Sequence, residues 1–278
     1  MTLPYVKMQG LGNSYIFIEA QRVKKYSLGK LAIAVSDANE GIGADGLIVV
    51  DTSKEPFAMR IFNRNGSEAE MCGNGLRQAA LFLKKSRFPN RKRFVISTTA
   101  GVFLTRVITS RESRAKVETS LGSPVFSAKE VGLKSKTDLA FDVPVFEYGD
   151  KKITMDCVSI GNPHAVVLVA SYDFDWSRLG REISEHRMFS DGINVNFMKI
   201  INSRRFEVKT FERGSGVTAA CGSGAAACLA VGVMRNILQK KAVAIATGGN
   251  LELSWDISTN TISQLGPASI ICYGEYYG

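Results

Sequence analysis

Two cysteines occupy the same place in a repeated pattern. Cys72 is followed by Gly73, Asn74 and Gly75, and 149 positions later Cys221 is followed by Gly222, Ser223 and Gly224. The same offset carries Phe62-Asn63-Arg64 onto Phe211-Glu212-Arg213 and Gly12-Asn13 onto Gly161-Asn162. Three short matches at one offset mark a duplicated unit with one thiol in each copy. After Cys72, residues Leu76, Ala79, Ala80 and Leu83 recur at helical spacing, and after Cys221 so do Ala226, Leu229, Ala230 and Val233. Each cysteine therefore stands at a helix start, where unpaired N–H groups and the positive end of the dipole favour a thiolate and a bound carboxylate. An ordinary thiol is only about 3% ionised at pH 7, and about 1 kcal/mol from the dipole lowers its pKa by about 0.7 unit. The result is a poised thiol rather than a fully formed thiolate.

Two such groups on opposite sides of one carbon are what a racemase needs. One thiolate removes a proton from one face while the other thiol delivers a proton to the opposite face. The copies are not identical. The repeat partner of His164 is Tyr15 and that of Glu212 is Asn63, so the second half holds a His and a Glu that the first lacks. His164 follows Gly161-Asn162-Pro163 in what reads as a turn. With Glu212 it is a candidate for tuning the proton transfers.

The elements that must position these residues read as strands, with one long helix per half. Leu3 to Gln9 and Tyr15 to Glu19 flank the Gly10-Leu-Gly-Asn13 turn, and Ser27 is the expected N-cap of a helix over 28 to 35. Phe57 to Asn63 and stretches between Phe94 and Thr119 read as strands, with Gly122-Ser-Pro124 as the crossover. In the second half the expected strands are Ile153 to Ser159, Ala165 to Val169, Val195 to Ile200 and Arg204 to Phe211, with a helix from Trp176 to His186. The tail from Val243 onward is expected to form short strands and turns, and 125 to 150 gives only loop and strand fragments. Alanine is so dense around Cys221 that its helix should be wrapped by sheet rather than laid on a surface. The expected class is α+β (mixed α/β): two pseudo-symmetric lobes, each a strongly curved sheet around a central helix, with the active site in the cleft between them.

Composition removes other classes. With 278 residues, 45% hydrophobic and 22% charged, the chain can bury two cores. No run of about 18 apolar residues occurs, and no basic segment leads into an apolar one at the start, so the expectation is a cytoplasmic protein without a membrane partner. Five cysteines in an odd set without a C-x-x-C pair argue against a disulfide framework or a zinc ribbon. Cys157, Cys228 and Cys272 are expected in cores. Two histidines without ligand spacing give no metal site. The net charge of +9 invites nucleic acid, but the basic stretch from Lys84 to Arg93 lacks interleaved aromatics for stacking, and no nucleic-acid partner is expected. Gly41-Ile-Gly-Ala-Asp-Gly46 matches G-x-G-x-x-G, yet it follows a helix and precedes a strand, the reverse of a dinucleotide site.

Blocks along the whole chain resemble the diaminopimelate epimerase family: Gly10-Leu-Gly-Asn13, Gly43-Ala-Asp-Gly46, Asn65-Gly-Ser-Glu-Ala69, Met71-Cys-Gly-Asn-Gly75 with Arg77, Gly161-Asn-Pro-His164, Gly192-Ile-Asn-Val195, Phe211-Glu-Arg-Gly214, Ala220-Cys-Gly-Ser-Gly224 and Gly266-Pro-Ala268. The resemblance implies cofactor-independent epimerisation of LL-diaminopimelate to meso-diaminopimelate, in lysine and peptidoglycan precursor biosynthesis. Cys72 and Cys221 would be the acid/base pair, supported by His164 and Glu212. Asn63, Asn162, Asn194, Glu212 and Arg213 would hold the distal end of the substrate. Asn13 would contact the reacting end, whose carboxylate would rest on backbone N–H groups including those of Asn74, Gly75, Gly222 and Ser223. The family's two-lobed fold implies lobes of 1–122 plus 267–278 and of 123–266, and a homodimer is compatible with it. Ser14, Gly46 and Val217 depart from the residues the family commonly carries there, namely Asp, Gln and Glu. These departures keep two alternatives open: a related racemase without pyridoxal phosphate, for example one acting on histidine, and a non-catalytic amino-acid-binding protein on the same scaffold.

Overall fold

The computed structural model describes residues 2–135, 137–148 and 151–278. Chain contacts divide it into two compact units, Met1–Ser120 with Leu265–Gly278, and Leu121–Gln264.

The first unit contains β1 (Leu3–Gly10), β2 (Asn13–Glu19), α1 (Leu28–Ser36), β3 (Gly46–Val50), β4 (Phe57–Asn63), β5 (Glu68–Ala69), α2 (Gly73–Ser86), β6 (Arg93–Thr98), β7 (Gly101–Arg111) and most of β8 (Arg114–Gly122). Pairing runs β1–β2 antiparallel, β2–β3 parallel, β3–β4 antiparallel, β4–β6 parallel, then β6–β7 and β7–β8 antiparallel. The second unit contains β9 (Val143–Tyr148), β10 (Lys151–Ser159), β11 (Pro163–Leu168), α3 (Trp176–Ser184), β12 (Asn194–Asn202), β13 (Arg205–Glu212), β14 (Gly216–Thr218), α4 (Gly222–Met234), β15 (Lys241–Ala246) and β16 (Gly249–Asp256). From β10 to β16 the pairing repeats the alternation of the first unit: antiparallel, parallel across α3, antiparallel, parallel across α4, antiparallel. Parallel neighbours need a crossover, and the helices supply it at the same two points in each copy. The mixed α/β class follows from that arrangement.

β17 (Thr261–Tyr276) returns the chain to the first unit, pairing antiparallel with β1 and also with β8, which closes a ring of strands there. This corrects the expectation of short strands in the tail. Gly266-Pro267 looks like turn punctuation, but burial alternates with period two through it, and Pro267 lies just past the last β1 pair, Gln9 with Ser269, where its missing N–H is not needed. Ser27 stands at the start of α1 as expected, although its side chain makes no capping hydrogen bond. Cys157 and Cys228 are buried, whereas Cys272, expected in a core, is half-exposed near the end of β17 beside Tyr5.

Each unit is built around one enclosed helix. In α2 every residue from Gly73 to Leu83 is buried, and in α4 every residue from Gly222 to Gly232. α2 packs on β1, β2, β6 and β7, and α4 on β10, β11, β12, β13 and β16. A helix covered on all sides cannot carry a polar face, which is why α4 is nearly all Gly, Ala, Val and Leu. α1 and α3 cover the outer layers, with Leu31, Ala32 and Val35 buried in one, and Leu179 and Ile183 in the other.

Such close packing leaves no room for growth. Ala226, fully buried in α4, tests it. Ala226→Leu is expected to destabilise the protein by about 1–3 kcal/mol through overpacking. Urea unfolding followed by tryptophan fluorescence reads this directly, since Trp176 and Trp255 both lie in the second unit. An unchanged midpoint would mean that the sheet around α4 yields to a larger side chain.

Candidate active site

The two cysteines are helix N-caps with the same geometry. Cys72 has φ −141° and ψ 114°, and Cys221 has φ −117° and ψ 115°. In each, the sulfur accepts from the third amide of the helix: Gly75 N–H at 3.3 Å and Gly224 N–H at 3.4 Å. Serine and threonine hydroxyls usually play this part. Both residues are half-buried. The second glycine of each motif is dictated by crowding. A Cβ at Gly224 would stand 2.2 Å from Asn196 Oδ1, and one at Gly75 would stand 2.9 Å from Ile48 Cδ1.

In the first unit the sulfur of Cys72 also meets Tyr15 Oη at 3.5 Å and Asn13 Oδ1 at 3.7 Å. Asn13 Nδ2 donates to Asp45 Oδ2 at 3.1 Å, and Asp45 Oδ2 accepts from Ser14 N–H at 2.7 Å as well. Asn74 is buried and its Oδ1 accepts from Arg77. Asn63 ends β4, and its Nδ2 donates to Ser67 Oγ at 3.0 Å. Gly75 was expected to offer its amide to a carboxylate. Here that amide is engaged by sulfur.

In the second unit Ser223 Oγ lies 3.5 Å from Cys221 Sγ, and Glu212 in β13 is in hydrogen-bonding contact with the same sulfur. Thr218 Oγ1 donates to Glu212 Oε1 at 2.9 Å. The protein packed around Cys221 and the neighbouring carboxylate push its thiol well above the usual range. Burial raises Glu212 too, against the lowering effects of its hydrogen bonds from Thr218 and Cys221. Gly222 carries no side chain because Gln264 packs on it, with a Cβ meeting Gln264 Oε1 at 2.4 Å.

His164 differs from its expected setting. It lies within β11 rather than in a turn, because Pro163 begins the strand, and it is completely buried. Its Nδ1 is 3.2 Å from Asn196 Nδ2, and its Nε2 is 2.9 Å from Asn162 Oδ1. Asn196 Nδ2 also donates to the Ala165 carbonyl at 3.1 Å, and Asn196 Oδ1 accepts from Thr210 Oγ1 at 3.0 Å. That pattern fixes the tautomer. Asn196 donates to Nδ1, so the proton sits on Nε2 and is donated to Asn162. Burial first, and the charge of Arg213 second, lower the imidazole to about 3, and it is neutral at physiological pH. Asn194 Nδ2 donates to the Pro163 carbonyl at 2.8 Å, and its Oδ1 accepts from Arg213 N–H at 3.0 Å. The exposed Arg213 side chain donates to the Asp191 carbonyl at 3.0 Å and lines a depression of about 550 Å³ with Arg181, Glu185 and Asp191.

The diaminopimelate epimerase family model matches residues 5–127 and 156–271. A diaminopimelate epimerase of Bacillus mycoides (strain KBAB4) is 34% identical over 278 residues, covering 98% of this chain and 96% of its own. One from Halothermothrix orenii is 33% identical, with 99% and 98% covered. This chain belongs to the diaminopimelate epimerase family. Membership makes it an isomerase. Solved structures extend the fold likeness further. A hydroxyproline epimerase from Agrobacterium vitis, with bound trans-4-hydroxy-L-proline, superposes with a TM-score of 0.68 at 13% identity over 99% of this chain and 90% of that one. A phenazine biosynthesis protein of the PhzF family from Bacillus anthracis gives 0.68 at 14% identity over the full length of both.

Family motifs point to most of the site but miss its supports. Asn196 and Thr210 carry no motif signal of their own. Asn196 could have been found as the residue two along from Asn194, on the same face of a strand. Tyr15 was visible only as the repeat partner of His164, and Arg77 only as part of the Cys72 block.

The buried imidazole leads to a pH prediction. Its pKa is lowered in the folded state, so the stability it permits is complete above about 6.5 and falls as pH drops toward 3. Between pH 6.5 and 4.5 the wild type should lose about 2–3 kcal/mol on this account. His164→Gln should lose correspondingly less over the same interval, whatever its stability at pH 7. Urea midpoints at the two pH values measure the difference, and parallel losses in both proteins would contradict a buried neutral His164.

Proposed function

We propose that this protein interconverts LL-diaminopimelate and meso-diaminopimelate by a two-base mechanism without a cofactor. Family membership supports the substrate. The observation that carries the chemistry is the pair of identical thiol caps, each at the start of an enclosed helix. One sulfur, as thiolate, takes the Cα proton. The other, as thiol, supplies a proton to the opposite face. The carbanion formed between these steps is stabilised through the adjoining carboxylate, for which the remaining N–H groups of the helix starts, among them those of Asn74, Gly222 and Ser223, are donors. On this reading Glu212 exchanges protons with Cys221. His164, neutral and enclosed, orients Asn162 rather than titrating. Asn63, Asn162, Asn194, Glu212 and Arg213 recognise the distal amino-acid end, the guanidinium serving its carboxylate. We place the protein in the cytoplasm: its five cysteines are free, and among the described residues no helix is long and apolar enough to cross a membrane.

A second reading, a racemase of a related amino acid, is favoured by one local feature. A Cβ at Gly46 would lie 2.1 Å from the Phe62 carbonyl oxygen, so the glutamine common there in the family has no room in this backbone. Solvent deuterium separates the readings. Reduced protein in D2O is expected to incorporate deuterium at Cα of unlabelled LL-diaminopimelate. Cys72→Ser and Cys221→Ser should each lower epimerisation by roughly 10²- to 10⁴-fold while circular dichroism stays unchanged. No exchange from well-folded protein would sink the epimerase reading, exchange with a different amino acid would select the second, and full activity in either mutant would refute the two-thiol mechanism.

A further inference from the structure

Asn13, expected at the reacting end of the substrate, is held by the carboxylate of Asp45. Asp45 Oδ2 accepts from Asn13 Nδ2 at 3.1 Å and from Ser14 N–H at 2.7 Å. One oxygen serves both donors. The Asp45 main chain completes the clasp: its N–H donates to the Ser14 carbonyl at 2.9 Å, and its carbonyl accepts from Arg64 N–H at 3.0 Å. The next residue, Gly46, pairs with Asn63 in the β3–β4 ladder. Asp45 thus ties the β1–β2 turn, which carries Asn13, to the end of β4, which carries Asn63 and Arg64.

The clasp also decides which way the Asn13 amide faces. Turning an asparagine amide by half a circle exchanges its donor for its acceptor. A carboxylate oxygen only accepts, so Nδ2 has to face Asp45, and Oδ1 is left toward Cys72, 3.7 Å from Sγ. Among its neighbours the sulfur therefore meets an acceptor in this direction. Gln78 Nε2 donates to the Asn13 carbonyl at 3.1 Å and fixes the main chain as well.

The second copy holds the same segments together with the opposite chemistry. At the repeat offset Asp45 becomes Asn194, Ser14 becomes Pro163 and Arg64 becomes Arg213. Gly43 and Gly192, two residues earlier, have φ of 78° and 72°, so the chain enters both positions in the same conformation. Asn194 Nδ2 donates to the Pro163 carbonyl at 2.8 Å, and its Oδ1 accepts from Arg213 N–H at 3.0 Å. Proline has no N–H, so it offers an acceptor and the residue facing it must donate. Ser14 offers an N–H, with the Asn13 amide beside it, and the residue facing both must accept. Acid at 45 and amide at 194 follow from that difference.

We propose that Asp45 is a positioning residue for the epimerisation: it locks the Asn13 amide with its oxygen toward Cys72 and sets the spacing between Asn13 at the reacting end and Asn63 at the distal end. The inference rests on the reading of these two asparagines as substrate contacts. Asp45 acts by position rather than by charge, since one oxygen in one place satisfies both donors.

The first arm of the test needs no substrate. Reduced protein is alkylated with iodoacetamide at pH 7, Cys72 is followed by peptide mass spectrometry, and its rate is divided by that of the same variant at pH 10. In Asp45→Ala the Asn13 amide is free to turn its Nδ2 to the sulfur, so the normalised rate should rise by about 2- to 10-fold. Asp45→Asn keeps an oxygen for both donors and should label like the wild type. Asp45→Glu keeps the charge but moves the oxygen by a methylene, and should label like Asp45→Ala. Asn13→Ala removes the group through which Asp45 acts, so in that background Asp45→Ala should change nothing further. The second arm is turnover of LL-diaminopimelate. Asp45→Ala should lower kcat/KM by about 10- to 100-fold, mainly through kcat, with most of the loss restored in Asp45→Asn and none added to Asn13→Ala. Asp45 is exposed, so its variants leave the core of the first unit intact. Wild-type labelling in Asp45→Ala, rescue by Asp45→Glu rather than Asp45→Asn, or an effect of Asp45→Ala that persists in full without the Asn13 side chain would overturn the proposal. Absence of turnover by the wild type would count against the diaminopimelate reading alone, because the labelling arm stands without it.

Discussion

The structure depends on how a buried helix begins. The first amides of a helix have no partner within it, and where the helix is sheathed by strands, water cannot serve them all. In α2 and α4 burial starts at the first residue, so an acceptor has to come from a side chain small enough to fit. A cysteine sulfur meets that demand and has a further property. It is a weak acceptor as a thiol and a strong one as a thiolate, so the amide that completes the helix also favours the ionised form. The glycines around it and the alanines beyond follow from the same enclosure, since sheet and neighbouring side chains press to within a methyl group of the backbone.

Duplication supplies two such caps at once, and the strand order shows how completely the copies share their frame. Crossovers recur at the same two places in each unit. Within this shared alternation of strands, the two caps differ in their side chains. Ala226 in place of an arginine and Glu212 in place of an asparagine change the local charge without moving a strand. Two sulfurs in identical surroundings would have equal intrinsic affinity for a proton, and unequal neighbours remove that equality.

Much of this was legible in the residues. The offset of 149 exposed the repeat, helical spacing placed α2 and α4, and the alanines announced a sheathed helix. What stayed hidden has a common cause: it depends on which strands become neighbours. Asn196 and Thr210 look like ordinary polar strand residues until the β12–β13 register sets them opposite each other. Arg77 appears in the sequence only as part of the Cys72 block, and its burial stays hidden because arginine is seldom buried and a helical wheel does not show a sheet closing over it. The length of β17 stayed hidden because local rules take no account of a strand whose β1 ladder ends just before Pro267. His164 was displaced from turn to strand for the same kind of reason, since Pro163 is tolerated where a ladder starts.

The hidden residues simplify the chemistry of the second unit. An imidazole near the site would ordinarily add a titration close to neutrality. Here Thr210, Asn196 and Asn162 form a chain of neutral hydrogen bonds through His164 that leaves the ring a single tautomer and no ready place for a second proton. What remains at the Cys221 cap is the couple of Glu212 with the sulfur. Both members are raised by burial; the carboxylate further disfavours ionisation of the thiol, while the hydrogen bond from the thiol favours ionisation of the carboxyl. At neutral pH Cys221 therefore keeps its proton beside the helix start. A neutral histidine contributes to that outcome through its lack of charge, because an imidazolium in its place would pull the carboxyl and the thiol toward ionisation and remove the proton that the second cap is built to keep.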